Sequence, residues 1–453
     1  MPLAVIIIGA GATGLLAARQ LSAAGFTVTL LEAAAQPGGR MHTLQGDGFA
    51  GPIEAGAEFI HGELEWSLRL AKEAGIPLHP VRAHMVRVRK GNWSGDPMAT
   101  EGWEELMQKM ADLEDDQPLS AFLAAEFPGQ RYDGLRDSVR SFAEGYDLAD
   151  LNRASTKALY KEWAHEGEEE EYRLEGGYRR LTGYLIAQCR ANGCTIRLSS
   201  PVSHIRWQTN RVEVTTSAGQ VFTGNRLVIT VPLSVLQADP SSSSAPPAQP
   251  SPASPSPSPD PLPGSQSPPA LQFFPPIPRH LEAARQLGYG SVIKILLEFK
   301  TPFWNKKKKT GQTLFIISDE PVPTWWTQPE DANTLLTGWL TGDNMRTFQR
   351  RTAGERLDAC LSAVASIFTV DLTFLQQQLT ASRILDWSTA PYIAGGYSFE
   401  AVNGIEARAV LSEPIGQTLY FAGEALYEGA APATVEAALS SGHAIAQKII
   451  AQS

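Results

Sequence analysis

The sequence has little of what marks several other classes of protein. Among its 453 residues only Cys189, Cys194 and Cys360 are cysteines, and they lack the paired spacing of a zinc site, so no metal centre is expected. So few cysteines are typical of a reducing compartment. No apolar run approaches the roughly 20 residues that span a bilayer. The first apolar run begins at residue 4, which leaves no room for a signal peptide, so we expect a cytoplasmic protein.

An excess of positive charge is also missing. The chain has 38 lysines and arginines against 48 aspartates and glutamates, a formal net charge of −10. This balance argues against nucleic acid or an anionic membrane as the main partner. With 43% hydrophobic and 19% charged residues the composition is that of an ordinary soluble protein. The length predicts two or three domains.

The N-terminal residues carry the pattern of a dinucleotide-binding unit. The apolar run Ala4–Ile8 leads into the sequence GAGATG, and a second apolar run ends in Glu32. Gly9 permits a tight turn from strand to helix, Gly11 lets the backbone touch a pyrophosphate, and Gly14 lets the helix lie close on the sheet. The phosphates would bind at the positive end of that helix. Glu32 is placed to accept hydrogen bonds from the hydroxyls of the adenosine ribose.

Three further features favour FAD over NAD as the dinucleotide. The glycine turn with Gly39 and Arg40 follows soon after Glu32, and its guanidinium is suited to a phosphate. A second glycine-rich block follows, with Gly56, Ala57, Glu58, Phe59 and His61. The third feature lies near the end of the chain, where Gly423 and Glu424 precede a helix that begins at Thr434. We expect this C-terminal segment to belong to the same unit as the N-terminal fingerprint.

The rest of the chain alternates helical and extended patterns. Apolar stripes and alternation predict helices over 62–76, 101–126, 177–192 and 434–450, a strand over 194–198, three antiparallel strands between 202 and 223, and a buried strand over 419–422. Residues 239–270 stand apart because proline and serine dominate them. We expect this segment to be a disordered insertion that is partly polyproline II.

These motifs resemble those of the flavin-containing amine oxidases, above all their polyamine oxidase and lysine-demethylase branch. The resemblance covers nearly the whole chain except the insertion, and it rests on the fingerprint at 9–14, on 38–40, 54–62, 290–294, 395–398 and 421–442. It implies an α/β fold: a discontinuous, Rossmann-like FAD domain with a parallel sheet, over 1–75, 175–238 and 405–453. A substrate domain of mixed sheet and helices would take 76–174 and 271–404, with the active site where the two domains meet.

The resemblance also implies a reaction. A hydride passes from a carbon next to an amine nitrogen to flavin N5, and the imine that forms is hydrolysed to an aldehyde. The reduced flavin then gives two electrons to oxygen, which yields hydrogen peroxide. The partners are therefore a small-molecule amine, primary or secondary and including polyamines, and O2.

Several cofactor contacts follow from the resemblance. Thr434 and Val435 lie beside the pyrimidine ring of the flavin, Glu424 beside the ribityl chain, and the backbone of Val202 at the adenine. Helix N-terminal amides at Thr434 can stabilise negative charge on the reduced flavin by ~0.3–2 kcal/mol. Gly396 stands where some monoamine oxidases have the cysteine that bonds the flavin, so we expect FAD to be bound non-covalently.

Three residues are the candidates for catalysis. Lys294 sits between Ile293 and Ile295 in a predicted strand, where a charge is costly without a partner. It either holds a water at flavin N5, as the resemblance implies, or carries its head group across an apolar edge to solvent. By resemblance, Tyr397 is one wall of the aromatic cage for the amine, and His61 contacts the substrate.

The aromatic and acidic neighbours leave more alternatives. The alternative for His61 is a structural role, and Glu58 either pairs with a distal ammonium or has a structural role beside the flavin. The tryptophans at 387, 325 and 326 either line the pocket, with Trp387 at the cofactor, or pack in the core.

Two other functions stay open. A related flavin enzyme could act on an amino acid or on a carotenoid- or porphyrinogen-type substrate. An amino-acid oxidase needs a buried arginine for the carboxylate, and Arg82, Arg87 and Arg89 are available for that role. The third interpretation is a non-catalytic flavin-binding scaffold that recruits partners.

The mode of flavin attachment can be checked directly. Denaturing the purified protein with acid should release its yellow colour into the supernatant, because no residue is expected to bond the flavin. Absorbance of supernatant and pellet measures this. Flavin that stays with the precipitated chain would show a covalent link.

Overall fold

The computed structural model describes residues 2–46, 48–95, 100–164, 170–238, 270–308, 311–330 and 332–453. The insertion predicted over 239–270 lies outside the described residues, except for Ala270. In the described residues, no single helix is long and apolar enough to cross a membrane. The two helices Ala353–Phe368 and Leu372–Gln378, which are bent relative to each other, together have the length and apolar composition of a membrane span.

Helices surround the sheets. In the described residues they are, in chain order, α1 (Ala12–Ala23), α2 (Glu65–Glu73), α3 (Trp103–Ala111), α4 (Leu119–Glu126), α5 (Asp133–Gly145), α6 (Thr156–Trp163), α7 (Tyr178–Ala191), α8 (Leu233–Gln237), α9 (Pro278–Gln286), α10 (Gly342–Gln349), α11 (Ala353–Phe368), α12 (Leu372–Gln378), α13 (Gly404–Ser412) and α14 (Val435–Ala451).

The strands of the same residues are mostly short. They are β1 (Ala4–Ile8), β2 (Thr27–Leu31), β3 (Thr43–Leu44), β4 (Ile53–Glu54), β5 (Ile60–His61), β6 (Leu78–Val81), β7 (Ala83–Arg89), β8 (Asn92–Ser94), β9 (Glu171–Leu174), β10 (Thr195–Arg197), β11 (Val202–Gln208), β12 (Arg211–Thr216), β13 (Val221–Gly224), β14 (Arg226–Ile229), β15 (Gln272–Phe274), β16 (Gly288–Tyr289), β17 (Ile293–Phe299), β18 (Thr313–Ser318), β19 (Thr324–Thr327), β20 (Leu335–Leu340), β21 (Leu379–Asp386), β22 (Ser398–Phe399) and β23 (Leu419–Phe421).

A parallel sheet of order β10-β2-β1-β14-β23 forms the centre of the first unit. It is covered on both faces, and this explains the unbroken apolar run of β1. Val5 and Ile7 pack in one core cluster with α1, α7 and α14, whereas Ile6 and Ile8 pack in a second cluster on the other face. The α/β fold class and its parallel sheet are confirmed.

A mixed sheet of order β21-β17-β20-β19-β18-β7-β8 forms the second unit. Strand β17 lies between β20 and β21 and is buried over its whole length. Helix α11 packs on one face of the sheet through Cys360, Val364 and Ile367. Helices α3 to α6 form a separate apolar cluster around Phe122 and Trp163.

Most predicted elements are present, and one is divided. The helix predicted over 101–126 is two helices, α3 and α4, so that prediction was wrong. Pro118 stands directly before α4. Proline lacks an amide proton and disfavours a helical residue before it, which disfavours a continuous helix through this point.

Residues 271–287 pack with the first unit and not with the second. The sequence predicts that residues 271–287 belong to the substrate domain. Strand β15 instead pairs with β11, and Leu271 and Phe273 share the core cluster of Ile6. The other domain boundaries stay predictions.

Helices α1 and α14, from the two ends of the chain, pack at very close range. Thr13 Oγ1 donates a hydrogen bond of 2.8 Å to the Ala438 carbonyl. A Cβ atom on Gly442 would lie 2.4 Å from the carbonyl oxygen of Thr13. Only glycine therefore allows this approach.

This contact predicts a contrast between two glycine-to-alanine variants. Gly442→Ala should lower the free energy of unfolding by about 1–3 kcal/mol, because the helices must separate. Gly183→Ala, in the exposed interior of α7 with open space at its Cβ, should raise it by about 0.5–1 kcal/mol. Denaturant unfolding of both variants measures the difference. Equal effects would contradict the close packing of α1 on α14.

Candidate active site

A cavity of about 2650 Å³ opens at the carboxyl ends of the parallel strands. Ile8, Glu32, Ile229 and Phe421, at or just after the ends of β1, β2, β14 and β23, all line it. Ligands of open parallel sheets bind at this edge. The cavity also reaches the second sheet, because Lys294 and Trp326 belong to its wall.

The glycine-rich loop forms one end of the cavity. Gly9 has a φ of 104°, a conformation that favours glycine. A Cβ on Gly14 would lie 1.9 Å from the Gly9 carbonyl oxygen, so α1 can begin here only with glycine at that position. Gly39 also lines the cavity, next to this loop.

Gly11 and Gly423 test whether these residues fit a dinucleotide. Both have extended backbones that any residue adopts. A Cβ would meet no atom within 4 Å at either position, and both residues line the cavity. Neither the backbone conformation nor the packing of the described residues therefore requires glycine at these two positions. A ligand that contacts the backbone there would require glycine, because a side chain would occupy its place. These positions therefore fit a bound pyrophosphate and its neighbouring groups.

Glu32 is buried at the cavity wall. Its Oε2 accepts a hydrogen bond of 2.6 Å from the Ala10 amide, and its Oε1 one of 2.8 Å from the Ala34 amide. Burial raises the pKa of Glu32 in spite of these bonds. Each carboxylate oxygen can accept a further bond. This arrangement is compatible with the ribose contact predicted from the sequence.

Val202, at the start of β11, lies in the same wall after Ser200 and Pro201. Its predicted contact with adenine stays a prediction, since the wall position agrees with it but does not test it.

The C-terminal part of the chain returns to this cavity. Glu424, Thr434 and Val435 line it, and Thr434 caps α14 by accepting a hydrogen bond from the Ala437 amide. Glu424 accepts hydrogen bonds from Arg40 Nη1 at 2.7 Å and from Ser398 Oγ at 2.6 Å. Arg40 Nη1 also donates to the Gly396 carbonyl. Arg40 thus joins two distant segments, and its role at a phosphate stays a prediction.

Lys294 lies in the interior, so its head group does not reach solvent. Its side chain is 1% exposed, and its Nζ donates to the Gly56 carbonyl at 3.0 Å and to Glu58 Oε2 at 2.8 Å. Nζ also lies 5.5 Å from the ring centroid of Trp326. The structure therefore places a partnered, buried ammonium at the cavity wall.

Glu58 is the partner that the sequence did not identify for Lys294. Its other oxygen, Oε1, accepts a hydrogen bond of 3.1 Å from Gln328 and lies 3.7 Å from Arg173 Nε. Burial acts to raise the pKa of Glu58, but Lys294 and Arg173 hold it below its ordinary value. The carboxylate is ionised as a result. No sequence signal joins residues 236 positions apart.

The aromatic candidates divide between wall and core. Tyr397 lines the cavity, and its hydroxyl donates to the Tyr146 carbonyl. Burial, with Asp147 close by, raises the pKa of Tyr397 well above its ordinary value. Trp387 also lines the cavity and donates to the Ala55 carbonyl at 3.0 Å, whereas Trp325 is fully buried in the core of the second sheet.

The block after Gly56 runs along the wall. Ala57 and Phe59 line the cavity, and Phe59 packs on Phe315 and Trp326 with ring centroids 5.9 and 6.2 Å away. His61 Nδ1 lies 2.7 Å from Glu171 Oε1. Sequence reasoning missed Phe315 and Glu171, because both belong to strands that only the fold brings here.

Acidic side chains predominate in the rest of the lining. They are Asp116, Asp137, Glu144, Asp147, Glu162, Glu171, Asp319, Glu320, Asp343, Asp386, Glu400, Glu406 and Glu428, against Arg140, Lys157, Lys161 and Arg408. Burial, together with the charge of Glu400, raises the pKa of Glu162 to about 7. Such a wall favours a cationic ligand. The three arginines considered for a carboxylate, Arg82, Arg87 and Arg89, are not among the described residues of this lining.

The comparisons with known proteins agree with this geometry. A family model described as flavin containing amine oxidoreductase matches residues 12–450. The chain is 26% identical to human lysine-specific histone demethylase 2 over 476 residues, which is 99% of this chain and 53% of that protein. It is 27% identical to polyamine oxidase 4 of Oryza sativa subsp. japonica over 482 residues, 99% of this chain and 88% of that protein.

The chain thus spans about half the length of the demethylases it matches. Among solved structures, wild-type putrescine oxidase bound to putrescine matches with a TM-score of 0.76 and 19% identity, over 100% of this chain and 99% of that one. This likeness shows that the fold is shared.

The open space at Gly11 predicts a defect in binding without a defect in folding. Gly11→Val should weaken FAD binding about 10- to 100-fold, because its side chain occupies the position of the pyrophosphate. Titration of the apoprotein with FAD measures this, and thermal unfolding without FAD should be unchanged. The Gly183→Ala variant serves as the control. Unchanged FAD affinity in Gly11→Val would exclude this loop as the phosphate site.

Proposed function

The chain belongs to the flavin-containing amine oxidoreductases, and from this premise we propose that it is an FAD-dependent oxidase of a primary or secondary amine. One observation carries the proposal. The glycine-rich loop, the N-terminus of α14 and the buried ammonium of Lys294 all line one cavity whose remaining charge is mostly acidic. FAD bound there would supply the oxidation, which takes a hydride from the carbon next to the amine nitrogen and passes two electrons, with two protons, to O2 to give hydrogen peroxide.

The residues of the first unit hold the cofactor. The backbone at Gly9 and Gly11, at the start of α1, binds the pyrophosphate, and Glu32 accepts from the ribose. Thr434 and Val435 line the cavity at the N-terminus of α14, where negative charge is favoured. Gly396 offers no thiol, which supports non-covalent binding.

Residues from several parts of the cavity wall bind and orient the amine. Tyr397, held at its hydroxyl by the Tyr146 carbonyl, supplies one wall for the amine nitrogen. His61, paired with Glu171, lies in the same cavity and can exchange a proton with the substrate. Lys294 presents an N–H donor to a water in the cavity.

The acidic lining supports a cationic substrate. An amine arrives as an ammonium, which the carboxylates attract, but oxidation requires the neutral amine. Polyamine oxidase 4 and the putrescine-bound structure among the related proteins support a diamine or polyamine in particular.

Peroxide release tests the proposal. The holoprotein should release hydrogen peroxide with diamines, polyamines or monoamines, and not with amino acids. Lys294→Met should keep its FAD but slow reoxidation by O2 about 100-fold or more, since a positioned donor is lost. Lys300→Met removes an exposed lysine directly after β17 and should match the wild type.

Three outcomes would contradict parts of this proposal. Activity only with amino acids or lipids would change the substrate class, and a bound but inert flavin would indicate a scaffold. A wild-type rate of reoxidation in Lys294→Met would remove the role of that lysine.

A further inference from the structure

Lys294 is held by one short loop. Both of its acceptors, the Gly56 carbonyl at 3.0 Å and Glu58 Oε2 at 2.8 Å, come from residues 56–58. Of the three protons of an ammonium, these bonds use two. The third has no hydrogen-bond acceptor among the described residues, and Lys294 belongs to the wall of the cavity.

The loop that carries Glu58 is fixed in place. A Cβ on Gly56 would lie 1.9 Å from the Arg40 carbonyl oxygen, so the two backbones touch. The Ala57 amide donates to that same carbonyl at 3.0 Å. The acceptors of Lys294 therefore cannot shift far without moving the segment around Arg40.

The carboxylate of Glu58 is fixed at both oxygens. Oε2 binds Lys294, while Oε1 binds Gln328 Nε2 at 3.1 Å and lies 3.7 Å from Arg173. The side chains of Glu58 and Lys294 are 4% and 1% exposed. Removal of one member of such a pair leaves an uncompensated buried charge.

The neighbouring groups do not replace Glu58. Glu54 is the other acid close to Lys294, and burial raises its pKa to about 7 while Tyr178 and Thr43 occupy its oxygens. Arg173 is a cation and is itself shared with Glu330 at 3.9 Å. Of the charged groups described around Lys294, Glu58 is thus the one positioned to balance its charge.

We propose that Glu58 is a positioning residue that keeps Lys294 protonated and directs its remaining N–H into the cavity. The consequence for the flavin rests on the proposed function, whereas the dependence of the Lys294 charge on Glu58 does not. Without the carboxylate, burial favours the neutral amine, so Lys294 would lose its proton within an accessible pH range.

The visible spectrum of bound FAD can report this charge. In Glu58→Gln holoprotein the oxidised flavin should show an additional absorbance transition between about pH 5 and pH 8, since burial without a counter-charge lowers the pKa of a lysine into that region. The wild type should lack this transition. Any spectral change caused by Glu54 or Glu162, whose pKa values burial raises to about 7, is common to the wild type and the variants and is subtracted. The double variant Glu58→Gln/Lys294→Met should also be flat, because the titrating amine is gone.

Glu298→Gln is the matched control. Glu298 is a buried acid on the same strand, β17, and accepts hydrogen bonds from the Ala50 amide and Thr334 Oγ1 rather than from a lysine. Its spectrum should match the wild type. A flat Glu58→Gln spectrum, or a transition that persists in the double variant, would overturn the proposal.

Thermal unfolding decides the matter if Glu58→Gln does not retain FAD. Each single variant, Glu58→Gln or Lys294→Met, should have a lower Tm than the wild type, and the double variant should lose less than the sum of both. Additive losses would overturn the pairing. No amine enters either measurement, so a failure to oxidise amines would leave this inference standing.

Discussion

Strand β14 pairs in parallel with β1 on one side and with β23 on the other, and this register organises the molecule. Ile8 lies opposite Ile229, and Ile229 opposite Phe421, so three distant segments end at one edge of the sheet. The chain leaves that edge each time through residues that line the cavity. Helix α14 then packs on α1 through Gly442, which brings both helix N-termini to the same space.

Buried carboxylates bind segments that are distant in sequence to the parallel sheet and its helices. Glu424 binds Arg40, Glu58 binds Lys294, and Glu436 accepts hydrogen bonds from the amides at the start of α2. Each contact joins residues more than 200 positions apart. Of the three, Glu58–Lys294 is an ion pair with both side chains buried, and loss of one partner of such a pair costs about 3–5 kcal/mol. The mixed sheet thereby presents β17, with Lys294, to the cavity of the first unit.

Local patterns in the sequence predicted the first unit well. The glycines of the loop, the apolar run of β1 and the small residues of α14 act through neighbours along the chain, so their meaning can be read from the sequence. Pro118 could also have predicted that a new helix begins after it, because proline disfavours a helical residue before it. The helical spacing of apolar residues continues across Pro118, however, and favoured a single helix. The pairing of β15 with β11 could not be predicted from a local pattern, since the two strands are far apart in the sequence and the Pro- and Ser-rich segment 239–270 lies between them.

The candidate site was harder to predict because its partners are distant in sequence. Lys294 was recognisable as a charge that needs a partner, but nothing local points to Glu58. Glu171 and Phe315 reach the wall only through the pairing of their strands. The central claim is that two ends of the chain and Lys294 share one flavin, and titration of the purified protein with FAD tests it most directly. We predict uptake of one FAD per chain with a shifted visible spectrum; a colourless protein that takes up no FAD would contradict the account.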